Sequence, residues 1–84
     1  MWHFEVTDTF GGEANYSWVR RQPMPARPGE SQHTVTRLAV VRRLKAFAGL
    51  TYQRCTVDDS GDLITVTPSG RHGPCIIAFA TWGQ

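Results

Sequence analysis

Three prolines and a glycine, Pro23, Pro25, Pro28 and Gly29, cut this 84-residue chain into two unequal parts. Each proline removes a backbone donor and fixes its own φ, so no regular element is expected to run through the stretch. Residues 22–32 read as an exposed connector. A chain of this length can bury one hydrophobic core and not two, so the parts on either side must fold together as a single domain over residues 1–84. The composition, 40% hydrophobic and 19% charged, is that of a globular chain and excludes intrinsic disorder.

Before the connector, Trp2, Phe4 and Val6 alternate with His3, Glu5 and Thr7, the two-residue period of a strand with one buried face. Asn15 to Arg21 is rich in aromatic and β-branched residues and predicts a second strand, joined to the first as a hairpin. After the connector, a helix is predicted from about Thr34 to Ala48, capped by Thr34 or Ser31 and ended by Gly49 in a left-handed conformation. At about 100° per residue its Val40, Val41, Leu44, Phe47 and Ala48 share one face, with Arg42, Arg43 and Lys45 spread over the other. Tyr52–Val57, Leu63–Thr67 and Cys75–Trp82 predict three more strands, separated by turn-forming clusters at 58–62 and 68–74. The order is ββαβββ, an α+β domain with a mainly antiparallel sheet of about five strands and one helix across one face. Trp2, Trp18, Trp82, Phe4, Phe10, Phe47, Phe79, Tyr16 and Tyr52 are expected to supply much of the burial.

No signal-like N-terminus and no apolar run long enough to span a bilayer is found, so a reducing cytoplasm is the expected compartment, without a membrane association. In that setting Cys55 and Cys75 read as free thiols rather than a disulfide. With His33 and His72 they contain zinc-ligand residue types, but only His72 and Cys75 have close spacing, and strand and turn roles explain all four. The acidic run Asp58 to Asp62 is no calcium loop, because twelve residues counted from Asp58 end on Ser69 where a bidentate glutamate belongs. Gly11-Gly12 lacks the Gly-Lys-Ser/Thr continuation of a phosphate loop, and no serine or cysteine sits in a nucleophile motif. The reading is of a protein that is not an enzyme and takes no cofactor or metal.

What remains is the placement of charge. The formal net charge of +2 is too small to imply a polyanion partner by itself. Arg42, Arg43 and Lys45 on the outer helix face, extended by Arg20 and Arg21, nonetheless form the candidate basic surface. Glu13 and Asn15, beside the glycine turn, add polar groups suited to recognition. These seven residues are the candidate partner-binding set.

The segment Asp8-Thr9-Phe10-Gly11-Gly12-Glu13-Ala14-Asn15-Tyr16-Ser17-Trp18-Val19-Arg20-Arg21, about a sixth of the chain, resembles a signature of small proteins encoded by phages, prophages and plasmids of proteobacteria. The later Val-Arg-Arg-Leu-Lys stretch and the Ala-Gly-Leu after it are similar to the same group. That resemblance implies a bacterial host cell and a host protein complex as partner. It points to an anti-CRISPR protein that inhibits a CRISPR effector by occluding its surface. The alternative is a small accessory protein that binds nucleic acid through the basic helix face.

Overall fold

The computed structural model describes residues 1–8, 15–69 and 76–83, with the side chains of residues 8 and 15–18 left aside. Among the described residues the elements run β1 (Trp2–Asp8), β2 (Asn15–Pro23), α1 (Arg37–Ala48), β3 (Cys55–Asp59), β4 (Leu63–Pro68) and β5 (Ile76–Trp82). The strands form one antiparallel sheet in the order β2-β1-β5-β4-β3. The expected ββαβββ domain is therefore present. Three of the four pairings join sequence neighbours, while β1 pairs with β5 along its whole length, from Trp2 opposite Trp82 to Asp8 opposite Ile76.

The cross-strand pairing explains where the helix sits. One row across the sheet is Gln22, Phe4, Ala80, Ile64 and Asp59, and the next on the same face is Arg20, Val6, Ala78, Val66 and Val57. The central strand thus presents alanines while its neighbours present larger side chains, which leaves a trough down the middle of the sheet. Val40, Leu44 and Ala48 of α1 fill it and are buried together with Phe4, Val6, Ile64, Val66, Ala78 and Ala80. Val41 and Phe47 pack at the margins.

Several boundaries differ from the sequence reading. Thr34 and Ser31 do not cap the helix, because Thr34 closes a turn by donating both its N–H and its hydroxyl to the Ser31 carbonyl. Thr36 is the cap instead, its backbone extended and its Oγ1 accepting the Ala39 N–H at 3.2 Å. Gly49 ends the helix with φ 74°, as expected. The connector begins after Pro23, which still pairs with His3, and it is not uniformly exposed. Met24 is buried and donates its N–H to the Trp2 carbonyl, extending the edge of the sheet.

β3 starts at Cys55 and not at Tyr52. Leu50, buried in the core, accepts the Gln53 N–H in a turn that swings Tyr52 wholly into solvent, so this ring adds nothing to the core. β5 begins at Ile76. Of the other aromatic residues, Trp2 and Phe4 are buried and Phe47, Phe79 and Trp82 half-buried, while Phe10 and the side chains of Tyr16 and Trp18 lie outside the described residues. No helix among the described residues is long and apolar enough to cross a membrane.

Candidate interaction surface

The cations singled out in the sequence have separate fates. Arg43 does not stand on the free face of the helix. Its two terminal nitrogens each lie 2.6 Å from a carboxylate oxygen of Glu30, and Nη1 also donates to the Pro25 carbonyl at 3.1 Å. This forked pair, with only 15% and 20% of the two side chains exposed, ties the connector to the helix. The Arg43 hydrogen bonds hold the Glu30 carboxyl down at about 2, well below its ordinary 4.5, assisted by the Arg27 N–H and the two positive charges.

Arg20 reaches over the sheet to the end of α1. It donates to the Phe47 carbonyl and places its guanidinium 4.7 Å from the centre of the Phe47 ring. Arg21 points to the opposite face and pairs loosely with Glu5 at 3.4 Å. Arg42 remains exposed and Lys45 half-buried, lining a shallow hollow with Thr51. The structure therefore does not gather the five cations into one patch. Glu13 and the side chain of Asn15 lie outside the described residues.

The face of the sheet away from α1 carries a different surface. One complete row across it is Arg21, Glu5, Phe79, Thr65 and Asp58, and the adjacent row is Pro23, His3, Thr81 and Leu63. Thr7, one pair further along β1, is fully enclosed, so along β1 the accessible part of this face lies at those two rows. Two hollows occupy them. The larger, about 500 Å³, lies among His3, Glu5, Arg21 and Pro23, and the smaller, about 300 Å³, among Leu63 and Phe79. Glu5 and Thr81 form the wall between them. Leu63 is 39% exposed, an apolar side chain in water beside a loose ion pair. Sequence alternation had put Glu5 on a solvent face; pairing Phe79 and Leu63 with that face needed the register of β5, which local pattern does not carry.

A further concavity, which the sequence reading missed, lies at the end of the sheet where β1 begins and β5 ends. The Trp2 and Trp82 rings meet there edge to face, 5.4 Å apart, and the exposed His33 ring lies 5.2 Å from Trp82. Arg37, the first residue of α1, sets its guanidinium 5.2 Å from the Trp2 ring. It also donates to the Gly61 carbonyl and pairs with Asp59 at 3.7 Å. The open cleft there measures about 270 Å³. Its only sequence signal would have been two tryptophans at the outer ends of the first and last strands.

Among the described residues no three His, Cys, Asp or Glu side chains come together as a metal site. His72 and Cys75 are outside them. Compared with protein-family models, curated proteins and solved structures, the chain finds no match.

Proposed function

We propose that this chain is a non-enzymatic binding protein that inhibits a host defence complex by covering part of its surface, with the helix-free face of the sheet as the contact. The observation that carries this reading is the chemistry of the two accessible rows. Leu63 and Phe79 offer apolar area, and the Glu5–Arg21 pair beside them offers groups that a partner's own charges can re-pair. Apolar anchors ringed by polar groups are what protein partners bury. The face carries Arg21 against Glu5 and Asp58, so it has no excess of positive charge to attract phosphates.

The identity of the target rests on the resemblance of residues 8–21 to proteins of mobile elements, which makes a CRISPR effector in the bacterial cytoplasm the first complex to test. The helix face speaks less for nucleic acid, since Arg20 and Arg43 each have an intramolecular partner, Arg21 points to the other face, and Arg42 and Lys45 make a small footprint.

The decisive experiment plates a CRISPR-targeted phage on cells that express the protein. Plating is expected to be restored by the wild type and lost with Leu63→Glu, while Arg42→Glu/Lys45→Glu keeps it and both variants melt as the wild type does. Failure against every effector type, together with DNA binding that weakens steeply with salt, would replace this reading with the nucleic-acid one.

A further inference from the structure

Strand β3 closes one side of the sheet, and its hydrogen-bond phase is fixed at both ends. Ser60 donates its N–H to the Leu63 carbonyl at 2.8 Å, and Ser69 donates its N–H to the Arg54 carbonyl at 2.8 Å. Hydrogen-bonded pairs of an antiparallel ladder recur at every second residue. Thr56 and Asp58 therefore bond to Thr67 and Thr65 of β4, while Cys55, Val57 and Asp59 turn their N–H and C=O groups away from the sheet. Among the described residues no strand lies beyond β3. Thr56, Val57, Asp58 and Asp59 are all exposed, Val57 at 45%. An edge of this kind is a template for another strand.

The sequence of this edge fits a second copy of itself. In antiparallel pairing about a twofold axis at Val57, Cys55 falls opposite Asp59 of the second copy and Val57 opposite Val57, so all three outward residues of each strand meet one another. The exposed valines cover each other across the axis. On the open face Arg54 then lies diagonal to Asp58 of the second copy, within reach of a long side chain, and the twofold makes this pair twice. Asp59 is compensated inside its own chain by Arg37 at 3.7 Å and by the Gly61 N–H at 2.9 Å. Moving the axis to Asp58 or Asp59 sets like charges opposite each other. Moving it to Thr56 runs Asp59 against Gln53, whose N–H closes the turn onto Leu50. The two aspartates thus admit one register and reject its neighbours.

We propose that β3 pairs with β3 of a second copy of this chain, antiparallel about Val57, joining the two sheets into one with both helices on the same side. The contact is small, two strands of five residues, so the dimer is weak and reversible. Of the open-face rows it engages only Asp58, and it does not rest on the function proposed for them, so either proposal can fail alone.

Sedimentation velocity of the full chain from about 10 μM to about 1 mM is expected to show a reversible monomer–dimer equilibrium. Val57→Pro should abolish the dimer, since the N–H it removes points outward and the ladder to β4 keeps its bonds. Should that variant fail to fold, Val57→Lys sets two like charges on the axis and should do the same. Arg54→Glu and Asp58→Arg should each weaken dimerisation about tenfold, and the two together should restore it. A chain that stays monomeric throughout, an assembly that keeps growing with concentration, a dimer that Val57→Lys leaves intact, or a charge-swapped chain no better than its single variants overturns the proposal.

Discussion

Among the described residues, Glu30 carries the clearest acid-sensitive contribution to stability. Its carboxyl is held at about 2 in the folded chain against 4.5 ordinarily, chiefly by the two hydrogen bonds from Arg43. A depressed carboxylate stabilises the fold above its unfolded value and loses that contribution as pH falls through its folded value. Thermal melts of Glu30→Gln and the wild type should therefore differ most near neutral pH and converge between pH 4.5 and about 2. A gap that stays constant through that window would mean the pair contributes nothing through charge. Arg20 is a milder case, because its contacts to the Phe47 carbonyl and ring lie at the surface. Arg20→Ala should cost about 1 kcal/mol or less in a denaturant titration. Neither contact was legible in the sequence. Helical periodicity puts Arg43 with Arg42 and Lys45, and it has no means of knowing that an irregular, proline-bearing segment returns to one flank of the helix and neutralises it.

At the scale of elements, boundaries followed local chemistry more closely than propensity. Gly49 could be read as the helix terminator because its left-handed φ of 74° is one that other residues adopt only with strain. The start was misplaced because Ser31, Thr34 and Thr36 are all competent caps, and only the turn closed between the first two leaves the third to do the work. Thr36→Ala should accordingly cost about 1 kcal/mol, measured by the shift of the denaturation midpoint, while Thr34→Ala should cost less. Equal losses would return the cap to the sequence reading. Strand identity was legible from two-residue alternation in β1 and from β-branched runs in β4 and β5. The pairing of β1 with β5 was not, since it joins the two ends of the chain and no local pattern encodes it. The open-face hollows and the end cleft depend on that pairing, which is why none of the three was found from residue types alone.

Among the described residues, one helix covers one face of a five-stranded sheet, and the two faces should answer differently to added bulk. A domain of this size has roughly 5 kcal/mol of stability by the per-residue rule, so changes of a few kcal/mol decide whether it folds. Leu44→Ala, at a site with no exposure, should cost about 3 kcal/mol through lost burial and the cavity left behind. Phe47→Ala should cost less than a fully buried phenylalanine would, because the ring is only half-buried. The sharper comparison uses neighbours on one strand. Ala80 lies in the trough under α1 with no exposure, whereas Thr81, the next residue, points to the opposite face and is exposed. Ala80→Leu adds three carbons where helix and sheet already touch and should cost about 1–3 kcal/mol by forcing the layers apart. Thr81→Leu, which adds one heavy atom net, enlarges the side chain toward solvent, and its effect should stay within about 0.5 kcal/mol. Denaturant melts of the two variants measure this difference directly. Equal destabilisation would mean that Thr81 is enclosed after all, and the accessible face assigned here to a partner would be part of the protein's own core.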